Sequence, residues 1–189
     1  MRLRCREYSD DVSVSSAPDA SKNDVTKNDA KMSGVNRIPA VEGWFTLDQA
    51  PHLIGCRCSA CGTYVFPPRT GACPNPNCDG EDLVSTPLSR VGTVWSYTEN
   101  QYAPPAPYRA AEPFEPYALA AVQLDKEGII VLGQVPKGIL AADLKVGMPM
   151  QLETDVLYRE VVDGVDTEFM VYVWAPAGPR AARNIGGKS

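Results

Sequence analysis

The chain has 189 residues, 44% of them hydrophobic and 22% charged, and a net charge of −5 at neutral pH. That length bounds it to one domain, or one with a small appendage. The acidic balance argues against a protein whose chief task is neutralising nucleic-acid phosphates, and no apolar run approaches the roughly 20 residues that cross a bilayer.

Residues 1–36 are rich in Ser, Asp, Asn and Lys, and such a segment cannot bury enough apolar area to offset its ordering entropy. They are expected to form a disordered tail in which residues 1–31 bury nothing, with no role for Cys5. The opening "MRLRCREYSDD" has the arginines of a signal peptide but no apolar stretch after them, so the reading is cytoplasmic. Met32, just before structured-looking sequence, stands as an alternative start to Met1. A zinc ribbon with a short lead-in is expected over 37–86, a five-stranded barrel over 87–176, and a second disordered tail over 177–189.

In the first of these regions, "CRCSACGTYVFPPRTGACPNPNC" holds five of the six cysteines. Cys58 and Cys61 are spaced C-x-x-C, and Cys73 and Cys78 are spaced C-x4-C. Two such pairs bring four thiolates to one point, the shell that a tetrahedral metal ion takes. In a reducing compartment this spacing points to metal rather than to disulfides. Gly62 suits the sharp return of the first knuckle, and Asn75, Pro76 and Asn77 suit the second. Four protein ligands leave no open position, so the ion is structural; zinc is expected, with iron the chemical alternative. Cys56 reads as a small buried residue outside the metal shell.

Downstream the text is strand after strand: "VGTVWSYTENQY", "YALAAVQLD", "GIIVLGQV", "PMQLETDVLYRE" and "TEFMVYVWAP", with "DGVD" at 163–166 as the last turn. A short helix is expected in "GILAADLK", between the third and fourth strands. Five strands with one helix after the third is the order of an OB-fold barrel. Two strands are apolar on both faces: Ile129 and Val131 against Ile130 and Leu132, and Phe169, Val171 and Val173 against Met170, Tyr172 and Trp174. The outer face is therefore covered, by a partner or by the chain itself. The loop from Asn100 to Tyr117 carries Tyr102, Tyr108, Phe114 and Tyr117 among prolines. Such a composition fits an interface or a ligand wall; a stiff connector is the plainer reading.

No catalytic set stands out. The lone His52 reads as structural, and no P-loop, nucleophile elbow or dinucleotide fingerprint occurs.

"LIGCRCSACGTYVFPPR", "CPNPNC", "GTVWSYT", "PYALAAVQL" and "LKVGM" together resemble the zinc-ribbon plus OB-fold family first described as domain of unknown function thirty-five. The likeness runs from about Val41 to Trp174. It implies structural zinc on Cys58, Cys61, Cys73 and Cys78, and no catalytic residue in this chain. It also implies an accessory subunit that binds a thiolase-like (sterol-carrier-type thiolase) protein and helps form its acyl-CoA site, as in steroid or aromatic side-chain degradation. The chain departs from the family in its wider second knuckle and its long N-terminal segment. On this reading Arg69, held on a Pro-Pro turn, meets a CoA phosphate, or else pairs with a carboxylate of its own ribbon. Tyr102 and Tyr108 pack against the partner or the acyl chain. Two other functions remain as alternatives: a nucleic-acid-binding ribbon and barrel, and a rubredoxin-like electron carrier.

Overall fold

A computed structural model describes Cys5 and residues 35–104 and 113–178. The two expected tails therefore lie almost wholly outside the described residues, as does Tyr108.

Nine strands form two sheets. The ribbon is a three-stranded antiparallel sheet in the order β3-β2-β4, with β2 Ile54–Cys58, β3 Tyr64–Val65 and β4 Leu83–Pro87. The barrel uses β5 Val91–Asn100, β6 Tyr117–Leu124, β7 Ile130–Gln134, β8 Pro149–Val162 and β9 Val165–Pro176. Its strands run β5-β6-β7-β9-β8, and β8 returns to β5 to close the ring. That closure removes the free edges an open sheet would leave. The expected fold, a zinc ribbon before a five-stranded OB barrel, is the one found.

Alternation drives the barrel. Along β6, Ala118, Ala120, Val122 and Leu124 are buried while the residues between them face outward, and Val131 of β7 joins them inside at 2% exposure. Met150 and Leu152 of β8 and Met170, Tyr172 and Trp174 of β9 complete the core. Each Val, Leu or Met side chain among them contributes about 1.5–3 kcal/mol by leaving water. The "DGVD" segment is a tight hairpin turn: Asp163 and Gly164 have φ of 51° and 78°, the left-handed pair that joins twisted antiparallel strands.

The barrel's last joint is narrow. β7 and β9 run parallel and pair only at Gln134 and Val173. Beyond that point two aromatic side chains replace the ladder. The Tyr172 hydroxyl donates to the Leu132 carbonyl at 2.8 Å, and the Trp174 indole N–H donates to the Val131 carbonyl at 3.2 Å. Gly133 makes this possible, because a Cβ there would stand 2.8 Å from the Trp174 ring and 2.9 Å from Tyr172.

Three features differ from the sequence reading. The expected helix in "GILAADLK" is one 3-10 turn, Ala141–Asp143, flanked by extended Leu140 and Leu144. Leu144 is 2% exposed in the core, and placing it there draws the backbone out of the helix. A short strand, β1 Asn36–Pro39, lies parallel to β9 in the barrel sheet. It is pinned by Glu168, 5% exposed, whose carboxylate accepts hydrogen bonds from Arg37 at 2.8 Å and from Arg159 at 2.9 and 2.7 Å. Finally, Cys5 is not idle: it is 7% exposed and disulfide-bonded to Cys56. The expectation that residues 1–31 bury nothing fails at that residue, and Cys56 is half of a crosslink rather than a lone small side chain.

Candidate metal centre and ribbon surface

The turn after β2 places the first two thiols. The Gly62 N–H donates to the Cys58 carbonyl at 2.9 Å, and Gly62 itself has φ of 77°. The chain returns at once, so that the Cys58 N–H reaches the Thr63 carbonyl at 2.9 Å. The wider second knuckle is organised by Asn75. Its Oδ1 accepts the Asn77 N–H at 3.0 Å, while its Nδ2 donates to Cys61 Sγ at 3.8 Å. Gly80 closes the loop with its N–H 3.4 Å from Cys78 Sγ. A Cβ at Gly80 would lie 3.0 Å from Cys58 Sγ and 3.2 Å from Cys78 Sγ, so this position admits only glycine without a shift.

These devices bring the sulfurs of Cys58, Cys61, Cys73 and Cys78 within 4.8 Å of one another. Cys61 and Cys73 are 3.5 Å apart, and Cys58 and Cys78 are 3.9 Å apart. A tetrahedral zinc ion with Zn–S near 2.3 Å sets its sulfurs about 3.8 Å from each other, so the donor set and spacing fit zinc. The thiols also divide in acidity. Hydrogen bonds from Thr63, side chain first and then backbone, draw Cys61 down to about 6. Cys78 stands at about 12 despite the Gly80 N–H, raised by its hydrogen bond with Cys61, then by burial and by its hydrogen bond with Cys58. A divalent cation held by all four sulfurs favours their ionised forms. With all four positions taken by protein, the ion supplies structure and no reacting site.

Cys56, on β2 opposite Val65 of β3 and Ser85 of β4, touches the "FPPR" turn. The Arg69 N–H lies 3.3 Å from its sulfur. The Arg69 side chain is exposed and donates to the Ala72 carbonyl at 3.1 Å, rather than to a ribbon carboxylate. Tyr102 lies far along the chain at the end of β5, 72% exposed, with its carbonyl held by Asn100 at 2.9 Å. His52 is a structural link, its Nδ1 3.1 Å from the Leu88 carbonyl.

Aromatic rings that sequence reasoning left unassigned join ribbon to barrel. Phe66 of the "FPPR" turn meets Trp44 edge-on at 5.6 Å and Tyr172 at 6.1 Å, and Phe45 meets Tyr172 at 5.7 Å. The turn that carries Arg69 is thereby fixed against the barrel's closing seam.

The two strands read as apolar on both faces resolve differently. β9 is covered by the chain itself: Phe169 stacks on Tyr158 at 4.5 Å, and Val173 is 3% exposed. β7 is not, since Ile130 is 45% and Leu132 57% exposed. Across β5, β6 and β7 the outward rows are Thr93, Gln123 and Ile130; Ser96, Ala121 and Leu132; and Thr98, Leu119 and Gln134. A bulge at Trp95 puts a second residue opposite Ala121, and its ring is 58% exposed. No charged residue occurs in these rows. Leu119 and Leu132 also border an apolar groove of about 220 Å³ that Val41 and Trp44 wall on the other side.

The ChsH2 rubredoxin-like zinc ribbon domain matches residues 47–84, and the ChsH2 C-terminal OB-fold domain matches 85–155. The benzoylsuccinyl-CoA thiolase subunit BbsA of Thauera aromatica is 42% identical over 52 residues, 28% of this chain and 34% of that protein. A DUF35 domain-containing scaffold protein of Methanocaldococcus jannaschii is 29% identical over 132 residues, 70% of this chain and 85% of the other. A probable enoyl-CoA hydratase alpha subunit of Thermomonospora curvata is 32% identical over 137 residues, 72% of this chain and 37% of that protein. The chain thus spans about a third of the thiolase and hydratase subunits it matches. Among solved structures, the Ltp2-ChsH2(DUF35) aldolase aligns with a TM-score of 0.48 and 28% identity, covering 67% of this chain and 86% of that one. With its four-cysteine ribbon fused to an OB barrel, the chain belongs to the ChsH2-type family of DUF35 proteins.

Proposed function

We propose that this chain is a non-catalytic accessory subunit that binds a thiolase-like protein, of the sterol-carrier type, and helps form its acyl-CoA site. The chemistry served is thiolase or retro-aldol cleavage, as in steroid or aromatic side-chain degradation, in the cytoplasm. The observation that carries the reading is the uncharged outer face of β5, β6 and β7. On a chain with 22% charged residues, a contiguous surface with none, centred on an exposed Trp and Leu, has the composition of an interface core. The names of the relatives support it, since two of them are subunits and one a scaffold. No helix among the described residues is long and apolar enough to cross a membrane.

In this role the metal holds the ribbon, the ribbon holds the "FPPR" turn, and the turn presents Arg69 to a phosphate of the shared CoA thioester. Tyr102, exposed just after β5, and Tyr108, further along the same segment of the sequence, are the side chains proposed to contact the partner or the acyl chain. The test is co-expression with a thiolase-superfamily protein from the same organism, followed by size-exclusion chromatography. Trp95→Asp and Leu132→Asp should each abolish co-elution while zinc content and melting temperature hold. Co-elution that survives both changes refutes the assigned face, and acyl-CoA turnover by the purified chain alone refutes the accessory role.

A further inference from the structure

The ribbon's small core gathers Cys5, Cys56, Cys58, Cys73 and Leu83, with Cys78 packed against it. The chain carries two thiols beyond the four that a tetrahedral ion takes, one of them on β2 two residues from Cys58. In this structure Cys56 is bonded to Cys5, across a sequence separation of 51. The two sulfur sets are distinct, because the four metal-site sulfurs group together without Cys56 or Cys5.

We propose that Cys5 and Cys56 form a reversible redox staple that tethers the start of the chain to the "FPPR" turn and leaves the metal centre untouched. In a reducing compartment the pair is open; it closes when the pool of low-molecular-weight thiols becomes oxidised. The step balances as a two-electron exchange. Both thiols lose their protons and one electron each to form the S–S bond, and one molecule of a disulfide oxidant such as oxidised glutathione is reduced to two thiols. Cys5, 7% exposed, is the entry point, since Cys56 at 0% has no surface for a reagent to meet.

The turn senses the change through one hydrogen bond. Cys56 Sγ lies 3.3 Å from the Arg69 N–H and 3.4 Å from the Arg69 carbonyl. As a thiol it both accepts from the amide and donates to the carbonyl. As a disulfide sulfur it has no proton and can only accept. Oxidation therefore exchanges the S–H···O bond at Arg69 for a covalent tether beneath it.

The full zinc-loaded chain tests this. It is equilibrated with oxidised or reduced glutathione, its zinc content is measured, and it is then denatured in urea with N-ethylmaleimide present, cut with trypsin without reduction and analysed by mass spectrometry. Arg57 lies between Cys56 and Cys58, so trypsin assigns the two sulfurs to different peptides. The expected oxidised product joins the Cys5 and Cys56 peptides and retains about one zinc per chain. The reduced form should show both cysteines alkylated, a melting temperature several degrees lower, and altered amide exchange in the peptide spanning Arg69. Cys5→Ser should match the reduced wild type under both conditions; should that variant fail to express, the two redox states of the wild type carry the same comparison. Alkylated Cys5 and Cys56 under oxidant, or a crosslink from Cys56 to any of the four metal ligands, overturns the staple. Equal melting temperatures and unchanged exchange at Arg69 overturn its coupling to the turn.

Discussion

The barrel's closing seam makes a sharp test of how this fold is held. β7 and β9 share one backbone pairing, and the work of a ladder falls to the side chains of Tyr172 and Trp174. Trp174→Phe keeps an aromatic ring but removes the indole N–H. The Val131 carbonyl keeps its place in the ladder opposite Val122 of β6, so losing the indole as a second donor costs about 0.5–1.5 kcal/mol. Losing the second ring of a fully buried Trp removes roughly 50 Å² of apolar contact, about 1 kcal/mol more. The expected total is about 1.5–2.5 kcal/mol. Tyr172→Phe deletes a hydrogen bond to Leu132, a residue 57% exposed, where water takes over, so its cost should be about 0.5–1.5 kcal/mol. Urea unfolding of zinc-saturated protein reads both as shifts in midpoint at constant slope. A Trp174→Phe loss under 0.5 kcal/mol, or equal losses for the two variants, would show that the seam is held by something else.

Other expectations concern the metal, the buried ion pair and the ligand. The protein should carry about one zinc per chain and be colourless; Cys58→Ser and Cys73→Ser should each lose the metal and much of the soluble yield, and full zinc in either removes the assignment. Hydrogen bonds from Arg159 and then Arg37 hold the Glu168 carboxyl below its ordinary 4.5. Its stabilisation is therefore present above about that pH and lost as the pH falls through the depressed value, so Glu168→Gln should flatten the acid limb of melting temperature against pH, and an unchanged limb refutes the pairing. In the proposed complex with a thiolase-like partner, Arg69→Ala should raise KM for the acyl-CoA severalfold with zinc and assembly intact; an unchanged KM moves Arg69 to a structural role.

Legibility followed distance along the chain. The strands were readable because alternation and β-branched runs are local, and the last hairpin because Asp163 and Gly164 can take left-handed φ. The metal site was readable because its ligands pair over three and five positions. What escaped was non-local. Cys5 meets Cys56 across 51 residues, and Arg37 meets Glu168 across 131; no spacing rule announces either. The 3-10 turn escaped for a different reason. Its residues favour a helix locally, yet Leu144 must enter the core, and tertiary demand overrides propensity. The bulge at Trp95, which turns an aromatic outward beside Ala121, leaves no mark in an unbroken strand-like run.

The two halves of the molecule are stabilised by different chemistry, and this bears on what the chain can do. The barrel core is built from Leu, Val, Met, Ala and aromatic side chains. The ribbon core is mostly sulfur: of its buried members only Leu83 is an ordinary hydrocarbon side chain. Strands of five, two and five residues around such a core cannot hold by burial alone. Metal ligation supplies what is missing, and the Cys5–Cys56 crosslink, when closed, adds about 4 kcal/mol for a loop of this size. The ribbon's surface output is the position of one turn, fixed from below by Cys56 at Arg69 and from the side by Phe66 against Trp44 and Tyr172. Such an arrangement fits the proposed role of presenting a surface to a partner protein.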